Sequence, residues 1–231
     1  MAGDEAGPGA DEGSGRASRT RAAIIDAALR LFRERGFDDT TMRAVAAEAG
    51  VSVGNAYYYF ASKEHLVQAF YDQAQHDHAL AAAAVLGRER DLSVRVRGTL
   101  TAWVDVMEPY RGFAGKFFKN AAEPTSPLSP FSTESSPARD AAIGLWREVL
   151  AGSDQRIPNV LAADLPELLW LYSMGIVLFW VHDASEDAAR TRLLVERTAP
   201  VVVRLIGVAR LPVLKATVAD LIAMMQEIRC L

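Results

Sequence analysis

The sequence predicts an all-α protein, with a small N-terminal domain of three closely spaced helices followed by a larger helical domain. Apolar residues after residue 18 recur at the three- and four-residue spacing of helices and not in the alternation of strands. Glycines and prolines follow several of these stripes and mark helix ends. Beyond about residue 65 the stripes become longer and more apolar, which indicates a second domain.

Composition limits the class of protein. The chain has 231 residues, of which 50% are hydrophobic, so an extensive core is expected. A net charge of −4 argues against binding nucleic acid through overall charge, although six arginines within residues 16–35 form a local basic excess. Cys230 is the only cysteine, which excludes an internal disulfide framework and fits a reducing cytoplasm. Residues 1–17 lack the pattern of a secretory signal and are expected to form a disordered tail.

Residues that cap or end helices divide the region before residue 66. They are Gly36 after the first helix, Thr40 or Thr41 before the second and Gly50 after it, Ser52 before the third, and Ser62 before the fourth, which starts at Lys63. Two short helices joined by the sequence AGVS have the proportions of a helix-turn-helix. The second helix of that motif enters the major groove of DNA, so its outward side chains are candidates for DNA contact.

The later segments also read as helices, separated by one long irregular stretch. Residues 123–139 contain four prolines and several serines, which favours a long loop or lid. Asp164, Pro166 and Glu167 form a strong start signal for an apolar helix that extends to His182. Further helical patterns cover residues 186–210, which include Pro200, and the residues after Pro212.

The predicted third helix carries the sequence GNAYYYF, in which three tyrosines are consecutive. Successive helical residues turn by about 100°, so the three rings cannot all face a core and at least one is exposed. Ala56 and Phe60 are expected to point inward, opposite a polar face that contains Asn55. Gly54 permits close approach of another backbone, and a DNA phosphate backbone is the natural candidate. The alternative is that the tyrosines are half-buried packing residues.

Residues 18–66 resemble the DNA-binding domain of the tetracycline-repressor (TetR) family of bacterial regulators. The resemblance extends from AAIIDAALRLFRERGFDDTTMRAVAAEAGVS through GNAYYYFASKEHL, where the family usually has a Gly-x-x-Tyr-x-His-Phe-x-Ser-Lys-Glu-like string. This sequence differs from the family at two positions: it has Tyr59 where histidine is common, and Ala56 where a larger aliphatic residue is usual. The resemblance implies a helix-turn-helix DNA-binding domain over residues 18–64 and a ligand-binding and dimerisation domain over residues 65–231.

The resemblance also implies individual contacts with a double-stranded DNA operator. It assigns the DNA backbone or a groove edge to Thr41 and Arg43, the bases to Ser52, Gly54, Asn55 and Tyr58, and phosphates to Tyr57, Tyr59 and Lys63. Two such units read a palindrome when they lie about one DNA turn apart, so a homodimer is expected. The apolar helices over residues 164–182 and 186–210 are the candidate interface between the two chains.

The larger domain holds enough large apolar side chains to line a small-molecule site. The candidates are Trp103, Met107, Phe113, Phe117, Trp146, Trp170 and Met174. Ordinary core packing is the alternative for each of them taken singly. With the family resemblance, the set predicts an apolar or aromatic effector, whose entry residues 123–139 would gate.

The expected function is therefore a ligand-responsive transcriptional regulator, with repression as the expected mode. An enzyme with an all-helical pocket and an effector-independent DNA-binding protein are the alternatives. The chain contains none of the phosphate-loop, nucleophile-elbow or zinc-protease motifs, so no catalytic residue, metal or cofactor is expected. His76 and His78 point to different sides of a helix and are expected on the solvated surface. The apolar run over residues 168–181 is too short to span a membrane.

Overall fold

The computed structural model of the chain describes residues 9–209 together with Asp220, Ala223, Met224 and Glu227, without the side chains of residues 9–14 and of Lys116. Within residues 9–209 the chain forms nine α-helices and no strand, which confirms the all-α fold class. The helices are α1 (Gly9–Arg35), α2 (Met42–Glu48), α3 (Val53–Tyr59), α4 (Lys63–Leu86), α5 (Leu92–Met107), α6 (Arg111–Ala122), α7 (Ser136–Ala151), α8 (Leu165–Val181) and α9 (Ala189–Val208).

The chain divides into two compact units that are not contiguous in sequence. The first contains the residues up to Tyr71 and returns for Gly112–Glu134, whereas the second contains Asp72–Arg111 and the residues from Ser135 onward. This division differs from the expected boundary between residues 64 and 65. The helix α4 contributes its first nine residues to the first unit and the rest to the second.

The caps of α2 and α3 confirm the local signals in the sequence. Thr41 is the cap of α2, and its hydroxyl accepts a hydrogen bond of 3.2 Å from the backbone N–H three residues later. Ser52 caps α3 in the same way at 3.1 Å. Thr40 has another role, because its hydroxyl donates to the carbonyl of Gly36 at 2.7 Å. Gly36 has a φ of 91°, a left-handed conformation that favours glycine at the end of α1.

A cluster of phenylalanine rings forms the core of the first unit. Phe113 and Phe117 of α6 stack with their centroids 5.0 Å apart. Phe113 also contacts Phe32 and Phe70, each at 5.8 Å between centroids. Phe117 meets Phe37 edge-on at 5.6 Å. All five rings are buried, so α6 belongs to the core of the N-terminal helices although it lies about eighty residues from α1 along the chain.

The proline-rich segment is a series of turns that packs within the first unit. The side chain of Leu128 is buried, and the Leu128 carbonyl accepts a hydrogen bond of 3.1 Å from the hydroxyl of Tyr71. The segment is shorter than the predicted 123–139, since α7 begins at Ser136 and takes Pro137 into its first turn. Proline is tolerated there because the first N–H groups of a helix have no intrahelical acceptor.

The N-terminal tail is the second departure from the expected organisation. The structure begins α1 at Gly9, so residues 9–17 are helical where a disordered tail was expected over residues 1–17. Adding residues to an established helix costs little once its apolar face has fixed the first turns. Residues 1–8, Cys230 and most of the helix expected after Pro212 lie outside the described residues.

The second unit is built on α5, α7, α8 and α9. Helix α5 packs against α9 and α7, and α8 packs against α7 and α9. Its buried core includes Trp146, Trp170 and Val195. The predicted start of α8 is confirmed, with proline in its first turn and His182 directly after its last residue, although the side chain of Asp164 makes no capping bond.

A buried arginine joins the ends of two helices in the second unit. Arg95 is 2% exposed, and its guanidinium donates to four backbone carbonyls, those of Leu86, Glu89, Glu148 and Val149, at 2.7–2.8 Å. Carbonyl groups at the end of a helix carry partial negative charge, so the ends of α4 and α7 compensate the buried cation. Gly152 is required beside it, because a side chain there would collide with the guanidinium.

A buried carboxylate holds the connection between α8 and α9. Asp183 accepts hydrogen bonds from the backbone N–H and the hydroxyl of both Ser185 and Thr191, at 2.6–2.9 Å. Burial opposes the charged form, but the four hydrogen bonds outweigh it and hold the pKa of Asp183 well below its usual range. These bonds fix a turn in which Asp187 and Ala188 both have a positive φ, of 49° and 51°.

We expect Asp183→Asn to lower the free energy of unfolding by about 2 to 3 kcal/mol at pH 7, because an amide cannot accept all four bonds. A carboxyl whose pKa is depressed by folding stabilises the protein above its unfolded pKa of about 4, and this contribution is lost as the pH falls further. The difference between the two proteins should therefore shrink below about pH 4. Urea titrations from pH 7 to pH 3 measure it, with the exposed Asp140→Asn as control. A difference that is constant over this range would contradict the assignment.

Candidate functional site

The helix α3 has one buried and one exposed face, as its sequence predicts. Ala56 is 0% exposed and Phe60, which follows the last residue of α3, is 3% exposed. On the outward side Tyr57 is 52% exposed and Tyr58 is 82% exposed. A tyrosine ring left this open gains little from packing, so the packing alternative does not hold for Tyr58.

The N-terminal part of α3 presents small and polar groups on the same exposed surface. Gly54 and Asn55 are both exposed, and a side chain added at Gly54 would meet no atom of the protein within 4 Å. The fold of the chain itself therefore does not require glycine at this position. Tyr59 is half-buried, and its ring meets that of Tyr58 edge-on at 5.2 Å between centroids.

The two capping hydroxyls lie at the exposed starts of α2 and α3. Thr41 and Ser52 each use an oxygen lone pair to accept the capping bond, which leaves the hydroxyl proton free to donate. Arg43 is exposed in the first turn of α2. Hydroxyl, guanidinium and phenol groups are the donors that phosphate oxygens accept, so this surface has the chemistry of a DNA contact.

Lys63 has a different position from the one expected. Its ammonium donates to the carbonyls of Phe37 at 2.8 Å and Asp38 at 3.1 Å, and lies 3.5 Å from that of Thr40. The ammonium also lies 4.3 Å from the centroid of the Phe37 ring, within the range of a cation–π interaction. A lysine has three N–H donors, and these contacts use them inside the protein. Lys63 therefore has a structural role within the first unit, and the phosphate contact implied for it stays a prediction.

Part of the basic excess on α1 is also used within the first unit. The Nε of Arg30 forms an ion pair with Glu48 of α2 at 3.1 Å. The guanidinium of Arg21 lies over the ring of Phe60 at 5.2 Å from its centroid. Arg16 and Arg19 are exposed on the N-terminal turns of α1. The charge available to a nucleic acid is thus smaller than the count of arginines suggests.

The expected effector residues are distributed over both units. Phe113 and Phe117 lie in the aromatic core of the first unit. Trp103 and the buried Met107 lie in the second unit, on α5. The remaining three, Trp146, Trp170 and Met174, belong to or pack against the core cluster of the second unit. The aromatic spacing in the sequence gave no means to separate the two groups.

His78 is buried in the second unit and not on the solvated surface. Its side chain is 6% exposed, and its Nε2 lies 2.9 Å from the carbonyl oxygen of Thr99 on α5. His76, two residues earlier, is exposed as expected. Burial lowers the pKa of His78, an effect that the hydrogen bond with the carbonyl partly offsets, so the ring is neutral at pH 7.

An open depression in the second unit has a different lining from the expected effector site. Residues of the α7–α8 connection and the last turns of α9 surround it, four of them charged or polar: Asp154, Gln155, Arg156, Val203, Arg204, Gly207 and Val208. It shares no residue with the expected set.

Two short capped helices, the second with an exposed face of asparagine and tyrosine, define a helix-turn-helix DNA-binding protein. Residues 24–70 match the family described as "Bacterial regulatory proteins, tetR family". Residues 95–223 match "Tetracyclin repressor-like, C-terminal domain". The protein belongs to the TetR family of transcriptional regulators, which excludes the enzyme alternative.

Curated relatives match a limited part of the chain. The chain is 45% identical over 69 residues to the HTH-type transcriptional regulator TtgR of Pseudomonas putida, which covers 29% of this chain and 33% of that protein. It is 45% identical over 60 residues to the HTH-type transcriptional repressor KstR2 of Rhodococcus jostii, covering 26% and 29%. The match thus spans about a third of the length of each of these two curated relatives.

Solved structures of low sequence identity share the fold. A TetR-family transcriptional regulator from Syntrophomonas wolfei superposes with a TM-score of 0.65 at 16% identity, over 80% of this chain and 95% of that one. A regulator of the same family from Streptomyces coelicolor gives a TM-score of 0.61 at 22% identity, over 89% of each chain.

In the part of the chain that the structure describes, none of the helices has both the length and the apolar character needed to cross a membrane.

The position of Lys63 predicts how its substitution affects DNA binding. We expect Lys63→Ala to weaken binding by loosening the α1–α2 loop, while the slope of log K against log salt stays unchanged, because no phosphate contact is lost. Arg43→Ala is the matched control and should reduce that slope by about 1. Fluorescence anisotropy with a labelled operator, measured between about 50 and about 300 mM salt, gives the salt dependence of binding for each variant. A reduced slope for Lys63→Ala would show that Lys63 does contact a phosphate.

Proposed function

We propose that the protein is a ligand-responsive repressor, a cytoplasmic homodimer that binds a palindromic operator through α3 and leaves it when a small apolar or aromatic molecule binds the second unit. The observation that carries this proposal is the division of α3 into an anchored and an open face. Ala56 and Phe60 hold the helix while Asn55 and Tyr58 are left for a partner. Regulated DNA binding is the function that this division serves best.

The contacts with the operator divide into positioning and recognition. Thr41, Arg43 and Tyr57 are proposed to contact phosphates or a groove edge, and thereby to place α3 in the major groove. Ser52, Asn55 and Tyr58 are proposed to contact base edges, since amide and hydroxyl groups both donate and accept hydrogen bonds there. Gly54, whose side-chain position is open, would let the DNA backbone approach the start of α3.

The homodimer is proposed to form through α8 and α9. Leu171 and Leu178 are exposed one heptad apart on α8. Val201, Leu205 and Val208 repeat at the four- and three-residue spacing of one face of α9, and Leu205 is 64% exposed. Two apolar stripes on neighbouring helices are a surface that a second copy of the chain can cover by isologous contact. Dimerisation would also provide two helix-turn-helix units, one for each half-site of a palindromic operator.

The effector is proposed to bind within the second unit, near Trp103, Met107, Trp146, Trp170 and Met174. Phe113 and Phe117 leave this proposal because they belong to the aromatic core of the first unit. A ligand weakens DNA binding only by stabilising a conformation that fits the operator less well, with a typical coupling of about 1 to 3 kcal/mol. Helix α4 runs without a break from Lys63 to Leu86 and contributes to both units, so it is the proposed carrier of that coupling.

The operator proposal predicts a loss of sequence preference when the recognition side chains are removed. We expect Asn55→Ala and Tyr58→Ala to fold like the parent, because both side chains are exposed, and to discriminate about tenfold less between the selected operator and single-base variants of it. Selection from random duplexes followed by anisotropy measures the preference. Tyr57→Ala is the control, since loss of a phosphate contact should weaken all duplexes alike. Parent-like discrimination in both recognition variants would refute the role of α3.

The dimer proposal predicts that charge on the exposed stripes separates the chains. Leu178→Glu combined with Leu205→Glu should give a monomer at micromolar concentration, because dimerisation would bury unpaired carboxylates. Sedimentation velocity measures the mass, and the operator affinity should fall with it. Leu80→Glu is the control, an equally polar change at an exposed leucine of α4. A double variant that remains dimeric would place the interface elsewhere.

A further inference from the structure

The contact between α4 and α5 buries two polar atoms that the fold leaves without a partner. His78 is 6% exposed and Thr99 is 0% exposed. Among the side chains that the structure describes, Nδ1 of His78 and Oγ1 of Thr99 are the buried polar atoms that make no hydrogen bond. The two residues already touch, since Nε2 of His78 lies 2.9 Å from the Thr99 carbonyl oxygen. The two unsatisfied atoms therefore belong to two residues that are in contact within the second unit.

The hydrogen bond with the carbonyl determines the chemistry that His78 offers. A carbonyl oxygen only accepts, so Nε2 must carry the proton and donate. A neutral imidazole has a single N–H, which leaves Nδ1 as a bare acceptor. The group that completes this site must therefore supply an O–H or N–H donor to Nδ1.

Thr99 adds a group that both donates and accepts. A threonine hydroxyl inside a helix commonly bonds to the carbonyl three or four residues earlier, and here it does not. A buried hydroxyl or imidazole nitrogen without a partner costs about 1 to 3 kcal/mol. Such groups persist in native proteins mainly where something outside the fold satisfies them.

The positions one turn beyond the pair on α4 and α5 are apolar. Ala82, one turn beyond His78 on the same face of α4, is fully buried. Trp103, one turn beyond Thr99 on α5, meets Trp180 edge-on at 5.1 Å between ring centroids. A few convergent polar groups among apolar and aromatic side chains are typical of sites for small molecules.

We propose that His78 and Thr99 are the polar end of the effector site, and that the effector is a small apolar molecule that carries a hydroxyl group. The hydroxyl donates to Nδ1 of His78 and exchanges a hydrogen bond with Oγ1 of Thr99, while the apolar body lies against Trp103. A group that lacks the donor, such as an ether, leaves Nδ1 unsatisfied. This inference rests on the proposed function as an effector-responsive regulator and specifies the chemistry of its ligand.

The test compares two probes that differ in the donor alone, 1-naphthol and 1-methoxynaphthalene. Binding to the full-length protein is measured without DNA, by calorimetry and by quenching of tryptophan fluorescence. We expect 1-naphthol to bind at least about tenfold more tightly, which corresponds to about 1.4 kcal/mol. His78→Phe and Thr99→Val should each reduce this preference to less than about threefold, since each removes one partner of the hydroxyl.

Matched controls separate the site from general effects of substitution. His76→Phe changes an exposed histidine of the same helix, and Thr101→Val changes a half-buried threonine two residues from Thr99. Both should keep the full preference for 1-naphthol. Equal binding of the two probes by the parent protein, no binding of either at millimolar concentration, or an unchanged preference in both site variants would overturn the proposal.

A stability measurement separates a ligand site from a structural one. Without probe, Thr99→Val should leave the free energy of unfolding unchanged or raise it, because valine has the same shape and removes an unsatisfied hydroxyl. A loss of stability would show that the fold or a buried water already satisfies Thr99, which overturns the proposal.

Operator binding by the same proteins distinguishes this failure from that of the proposed function. If the His78→Phe, Thr99→Val double variant still binds the operator and an effector still releases it, the proposed function stands and the placement of the effector at His78 and Thr99 is refuted. If the parent protein shows no specific operator binding, the proposed function fails, whatever the probes do.

Discussion

The ammonium group of Lys63 is the contact on which the geometry of the DNA-binding unit depends. It lies in the first turn of α4 and holds the carbonyls of Phe37 and Asp38 in the loop between α1 and α2. Phe37 in turn contacts Phe32 of α1 and Phe117 of α6. One cation thus joins the loop that precedes α2 to the start of α4 and to the aromatic core. A neutral side chain at this position would leave those carbonyls to water and free the loop.

The recognition helix shows why this support is needed. Helix α3 has only seven residues, and an isolated helix of that length is unstable in water. It persists here because Ser52 caps its start and because Ala56 and Phe60 bury its inner face. Once those groups have stabilised the helix, its outer face is free of any packing requirement. Consecutive tyrosines are tolerated at residues 57–59 because the core needs only the neighbouring positions.

The sequence allowed prediction of the features that neighbouring residues decide. Thr41 and Ser52 cap helices because each needs only the backbone N–H three residues later, and Gly36 ends α1 because of its own φ. The internal contacts of Lys63 and the burial of His78 could not be predicted, because their partners lie 26 and 21 residues away along the chain. Helical periodicity says which side a residue faces relative to its own helix. It does not say which helix covers that side.

The aromatic residues of α6 show the same limit at the scale of domains. Phe113 and Phe117 have the spacing of an apolar helix face, and this spacing is equally compatible with an effector pocket and with a core. Their actual neighbours, Phe32 and Phe37, come from the beginning of the chain. A chain that leaves a unit and returns to it produces no local signal, so the sequence suggested two contiguous domains where the structure has interleaved segments.

The second unit satisfies its buried Arg95 and Asp183 completely, which makes two unsatisfied neutral polar atoms in the same unit significant. The guanidinium of Arg95 donates to four carbonyls, and the carboxylate of Asp183 accepts four hydrogen bonds. A fold that surrounds a cation and an anion so completely has the means to satisfy one imidazole nitrogen and one hydroxyl. That it leaves both open between α4 and α5 is the reason to look for their partner outside the chain.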